Sequence, residues 1–172
     1  MRKKAIFFHG YGGEPIQVIT DIFKYLGYDM IQPYIDFDDE WDLDRGKSLV
    51  EEMLSKSADC DLIIGLSLGG YLADLVANNL GIDCILINPG IDKRKSQLHI
   101  KDFDCPRAIN NCNLEVYLGG MDFQIPNNYT LDYLKRNNID ARIETLQDMG
   151  HVFNLDEFIE IVKMSNFIKI NR

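Results

Sequence analysis

Three residues far apart in the chain have the types that nucleophilic acyl transfer requires. They are a serine in Gly65-Leu66-Ser67-Leu68-Gly69, a carboxylate in Gly119-Gly120-Met121-Asp122 and an imidazole in Met149-Gly150-His151. A serine hydroxyl is a poor nucleophile at its own pKa, so a hydrogen-bonded imidazole must take its proton. The imidazole in turn needs a carboxylate to hold its tautomer and stabilise its cation. A G-x-S-x-G stretch by itself is short and is equally compatible with a structural turn; it gains meaning only if the acid and base fall in workable places. Gly65 and Gly69 suit a tight turn at which a side chain would collide, and Ser67 between them would need a strained, positive φ. A tetrahedral intermediate also needs donors. The backbone N–H of Leu68 is one candidate, and in His9-Gly10-Tyr11-Gly12-Gly13 the Tyr11 N–H is the best placed second.

These residues can meet only if the elements between them bring them to one place. Apolar runs predict strands at 5–9, 30–34, 61–66, 84–88, 114–120 and 141–146. Helical spacing follows Pro15, with Ile16, Ile19, Phe23 and Leu26 on one face and Gly27 as a stop. It recurs over 43–57, from Leu68 to Gly81 and from about Asn127 to Asn138. A last helix opens at Asn154 and Glu157, which have the spacing of a capping box. Six strands alternating with helices indicate a parallel sheet with helices on both faces. In such a sheet the loops after the strand C-termini gather on one edge. Ser67 follows the third strand, Asp122 the fifth and His151 the sixth, while the glycine-rich loop follows the first.

The stretches "HGYGG", "GLSLGGY", "NPG", "GGMDFQIP" and "MGHVFN", read together, resemble the α/β-hydrolase superfamily. They are most similar to small lidless esterases of the YqiA type, over residue 5 to about residue 160, and the "GGMDFQIP" loop is also similar to that of general carboxylesterases. The resemblance implies an α/β-hydrolase fold with a six-stranded, mostly parallel sheet and no lid domain, the segment 91–112 being too short to build one. It also implies Ser67 as nucleophile, His151 as general base and Asp122 as the acid. The expected activity is a serine hydrolase cleaving small carboxylic esters or thioesters through an acyl-enzyme, with no metal or cofactor. A non-catalytic binding protein on the same fold and a peptidase or amidase are the alternatives. Asp148, close to His151, rivals Asp122. His151 could instead be a buried, satisfied histidine.

The remaining composition narrows the setting. The 172 residues, 46% apolar and 26% charged, suit one soluble domain over 1–172. No apolar run approaches the roughly 20 residues of a membrane span, and only Ala5 to Phe8 follow the basic Met-Arg-Lys-Lys, too few for a signal core; a cytoplasmic protein is expected. A net charge of −9 argues against nucleic acid as a partner. The four cysteines have no metal-ligand spacing. His9 reads as structural, with bracing of the oxyanion loop as a further option, and His99 as solvent-facing. Tyr34, Tyr71, Phe123 and Phe153, with Tyr11, either line an acyl pocket or pack in the core. The acidic run 36–44 and the basic "DKRK" at 92–95 both follow strands and are expected near the catalytic edge, where they could pair or form a bipolar rim.

Overall fold

The computed structural model describes residues 2–37, 43–91 and 111–169. Eleven elements follow in chain order: β1 (Lys3–Phe8), α1 (Gln17–Tyr25), β2 (Tyr28–Ile31), α2 (Leu43–Ser57), β3 (Leu62–Leu66), α3 (Leu68–Leu80), β4 (Cys84–Ile87), β5 (Leu114–Gly119), α4 (Asn127–Arg136), β6 (Arg142–Leu146) and α5 (Leu155–Met164). The six strands form one sheet in the order β2-β1-β3-β4-β5-β6, and every neighbouring pair runs parallel. This is the α/β-hydrolase architecture expected above. No helix of the described residues is long and apolar enough to cross a membrane.

Strands covered on both sides should read as continuous apolar runs, and these do. The alternate side chains divide cleanly. Ala5, Phe7, Leu62, Ile64, Leu66, Ile85, Ile87 and Tyr117 pack with Ile19 and Phe23 of α1 and with Phe158, Ile161 and Val162 of α5. Ile6, Phe8, Ile63, Cys84, Leu86, Val116 and Leu118 pack on the other face with α2, α3 and Leu134 of α4. The first core is stapled at its far end by a buried carboxylate. Glu115 accepts hydrogen bonds from Tyr117 Oη (3.1 Å), Arg142 Nη1 (3.2 Å) and Asn166 N (2.9 Å), while Arg142 also donates to the Met164 carbonyl at the end of α5. Removing Arg142 would leave that charge buried without its cation. Burial and the adjacent carboxylate push the Tyr117 phenol above its ordinary range.

Several boundaries differ from the periodicity by a residue or two, β1 beginning at Lys3 rather than Ala5 among them, and two of these differences have a local reason. β2 spans Tyr28–Ile31 rather than 30–34, with Lys3 opposite Tyr28 and Ile6 opposite Ile31. Pro33 has no N–H to offer the ladder, so the pairing ends before it. α1 begins at Gln17 rather than at Pro15, because Ile16 is extended (φ −111°, ψ 108°). Its N–H and C=O bond the side chain of Gln32 instead, both at 2.9 Å. At α5 the reciprocal capping bonds of Asn154 and Glu157 form as the sequence suggests. Most of the acidic run (38–42), the basic residues at 92–95, His99 and nearly all of the segment 91–112 lie outside the described residues.

Candidate active site

β1 and β3 are neighbours in the sheet, yet the helices after them go to opposite faces, α1 with α5 and α3 with α2. A crevice must open at the strand ends where the two connections part. The glycine-rich loop 9–13 forms one side of it and Ser67 the other.

Ser67 links β3 to α3 in a single residue with φ 54° and ψ −120°. Few L-residues hold a positive φ, at a cost of about 1–3 kcal/mol that the surroundings must offset. Here the Ser67 N–H bonds the Ile87 carbonyl (3.0 Å), and its own carbonyl accepts from Gly70 N (2.9 Å) and Gly90 N (2.7 Å). The turn is tight enough to require its two glycines. A Cβ on Gly65 would run into the Gly69 carbonyl and sit 2.6 Å from Ala73 Cβ, and one on Gly69 would run into the carbonyls of Phe8 and His9. Gly10 presses on the serine from the facing loop, its virtual Cβ lying 3.0 Å from Ser67 Cβ.

The structure brings the three candidate residues into one hydrogen-bonded line. Ser67 Oγ lies 2.9 Å from His151 Nε2, and His151 Nδ1 lies 2.8 Å from Asp122 Oδ2. A carboxylate can only accept, so Nδ1 carries the ring proton and Nε2 presents its lone pair to the hydroxyl. The Asp122 side chain is fully buried, and its second oxygen accepts from Gln124 N and Ile125 N, both at 2.9 Å. Those bonds aim the carboxylate before histidine is considered. Asp148, the rival acid, is exposed. The histidine loop is tied to the acid turn through Gly120 N to the Leu146 carbonyl (2.8 Å) and Met121 N to the Met149 carbonyl (3.0 Å).

His9 is buried and has a bonding pattern that composition does not reveal. Its Nε2 accepts from Ile35 N–H (2.9 Å), so Nδ1 holds the proton and donates to the Gly10 carbonyl (2.8 Å). Gly13 N donates to that same carbonyl at 3.0 Å. With the carbonyl fixed, the trans peptide plane sets the direction of the Tyr11 N–H on its opposite side. A histidine directly before the glycine-rich loop was the signal for this brace.

The cleft beside Ser67 has a volume of about 760 Å³. Phe7, Leu66, Ile16 and Val152 supply apolar wall, and Tyr11, Gln17, Gln124 and His151 its polar part. Of the aromatic residues read either as pocket lining or as core, Tyr11 lines this cleft, and Tyr34, Tyr71, Phe123 and Phe153 do not. Tyr71 is 3% exposed and packs in the core beneath α3. Phe153 stacks on Phe158 with ring centroids 4.8 Å apart. Phe123 points to solvent at 82% exposure, because its neighbour Asp122 takes the inward place on the turn. Tyr34 is exposed and lies with Asp36 and Phe37 in a separate depression on the far side of the glycine-rich loop.

Residues 6–117 match the model of a family described as an uncharacterised protein family, UPF0227. No curated protein is detectably similar to the chain in sequence. Solved structures share its fold at low identity. An α/β hydrolase enzyme from the metagenome of lagoon sediments at Mar Chica, Morocco, superposes with a TM-score of 0.67 at 17% identity, over 95% of this chain and 90% of that one. Acyl-protein thioesterase 2 of Zea mays gives 0.65 at 14% identity, over 94% and 91%. A structure from work on carboxylesterases of the thaumarchaeon Nitrososphaera gargenis gives 0.64 at 13%, over 94% and 89%.

Proposed function

The chain belongs to the uncharacterised family UPF0227 and has the α/β-hydrolase fold, and from that premise we propose that it is a serine hydrolase of small carboxylic esters or thioesters. The observation that carries this reading is the unbroken Ser67–His151–Asp122 line, with Ser67 held on a strained turn at the floor of an open cleft. A binding protein has no need of all three groups in register, and none of the described residues lining the cleft favours an extended peptide over a small ester.

Ser67 Oγ attacks the acyl carbon while His151 Nε2 takes its proton. The imidazolium that forms is stabilised by Asp122, which stays ionised. Oxygen charge develops on the substrate carbonyl as its π bond opens. The Leu68 N–H, in the first turn of α3 where no intrahelical acceptor exists, and the Tyr11 N–H, oriented by His9, are the donors assigned to it. The tetrahedral intermediate collapses and His151 returns its proton to the leaving alcohol or thiol, leaving an acyl-Ser67 ester. Water, deprotonated by His151, then attacks that ester, and Ser67 regains its proton as the acid leaves. Each step uses only these side chains and backbone donors. The smallness of the acyl group, the residue roles, a single domain over 1–172 and a cytoplasmic setting are parts of the same proposal.

The test is labelling by a fluorophosphonate probe followed by peptide mapping, with ester hydrolysis measured in parallel. The probe should attach at Ser67. Ser67→Ala should fold normally, take no label and lose hydrolysis on the order of 10⁶-fold. Labelling at another serine, or hydrolysis unchanged in the variant, would reject the assignment.

A further inference from the structure

His151 lies on the loop after β6 but must reach Ser67 after β3. Three inter-strand spacings separate them, roughly 14 Å, so the loop has to cross over the ends of β5 and β4. Asn88, the residue directly after β4, sits beneath that crossing. It is 1% exposed, and every polar atom of its side chain has a partner. Its Nδ2 donates to the Gly150 carbonyl (2.8 Å) and the His151 carbonyl (2.9 Å), and its Oδ1 accepts from Gly119 N (2.6 Å). The orientation of the amide is unambiguous, since a flipped group would set oxygen against two carbonyls and nitrogen against an N–H. The backbone is equally committed. Asn88 has φ 42°, a left-handed conformation that asparagine tolerates better than most residues. Its N–H bonds the Tyr117 carbonyl of β5 at 3.0 Å.

Gly119 is the last residue of β5, three before Asp122, and Gly150 and His151 carry the base. One side chain therefore holds the start of the acid turn and the main chain of the base together, without touching the reacting atoms. We propose that Asn88 is a positioning residue that keeps His151 in register with Asp122 and Ser67; the proposal rests on the serine-hydrolase reading for its kinetic consequence but not for its structural one. A misplacement of about 1 Å in a catalytic group can cost on the order of 10²-fold in rate. The acid turn holds the loop as far as the Met149 carbonyl, and Asn88 restrains the next two residues, Gly150 and His151.

Two variants separate positioning from mere stability. Asn88→Gly retains the left-handed backbone and loses all three side-chain bonds. Asn88→Asp retains shape and the bond from Gly119 N but faces oxygen toward two carbonyls. Val162→Ala, in the core beneath α5, serves as a destabilised control outside the site. For each protein, kcat and KM are measured with a short-chain ester, along with thermal unfolding and the downfield proton resonance of the His151 Nδ1–H bond to Asp122. The expected result is a fall in kcat of about 10²-fold with KM changed less than about threefold, and a broadened or missing resonance, in whichever Asn88 variant folds. Val162→Ala should lower the melting temperature while keeping kcat and the resonance. Folded Asn88 variants with wild-type kcat and an intact resonance would overturn the proposal. Should the wild-type protein hydrolyse no ester, the hydrolase reading falls, and the resonance in the Asn88 variants still decides whether Asn88 positions the histidine.

Discussion

Asp122 uses both carboxylate oxygens, and the division of labour between them makes a sharp prediction. Oδ1 accepts two backbone N–H groups, so an asparagine at this position must keep its oxygen there and turn its NH₂ toward His151. Nδ1 would then have to accept, the ring proton would move to Nε2, and Ser67 would lose its base. Asp122→Asn should therefore fold normally yet lose turnover by about 10⁴-fold, as expected for a base held in the wrong tautomer. Asp148→Asn, at an exposed position, should change kcat/KM by far less. Both variants can be assayed on one ester at saturating and limiting concentration. A reversed pair of effects would assign the acid role to Asp148.

The strand–turn–helix unit from β3 to α3 makes a different kind of demand. Its geometry brings the helix backbone against the strand so closely that two positions have no room for a methyl group. Gly65→Ala would have to separate β3 from α3, and overpacking of this kind typically costs about 1–3 kcal/mol. Gly150 provides the contrast. It lies in the same layer of loops but has open space around its virtual Cβ and no positive φ. Gly150→Ala should therefore stay within about 0.5 kcal/mol of the parent in a denaturant titration, while Gly65→Ala shows the larger loss or fails to fold. Equal midpoints for the two would mean that the elbow is looser than its contacts indicate. At the other end of the chain the α5 capping box acts on the same principle, since a helix whose apolar face closes one core needs a defined start.

At the scale of the molecule, the described residues form a sheet between two cores with a cleft at the strand ends, and the proposed substrate has to fit that cleft. The apolar wall beside Ser67 consists of a few side chains, Phe7, Leu66, Ile16 and Val152 among them, of which Val152 is itself 65% exposed. Each methylene contributes about 0.8 kcal/mol only if it is truly buried. The value of kcat/KM for p-nitrophenyl esters should therefore rise from acetyl to roughly butyryl or hexanoyl, and then flatten or fall. The series is to be measured below each ester's aggregation limit. A steady climb to long chains would point to apolar cover that the described cleft does not contain.

Much of this architecture is legible in the amino-acid sequence. Apolar runs at 61–66, 84–88 and 114–120 become β3, β4 and β5 within a residue or two, because a strand buried on both faces has to be apolar throughout. The β-α alternation implies a parallel sheet, and a parallel sheet places the loops carrying Ser67, Asp122 and His151 on one edge. That part of the site follows from chain order. Other features depend on distances between elements remote in sequence. Nothing local distinguishes Tyr71 in the core from Tyr34 in solvent, and Phe123 faces out only because Asp122 is held inward by two backbone bonds. Asn88 reads as a strand end before Pro89-Gly90. Its three side-chain bonds reach residues 31 to 63 positions away, and they exist only once β4, β5 and the loop after β6 have come together. Periodicity records which face of an element is buried. Which residue across the sheet it meets is set by packing.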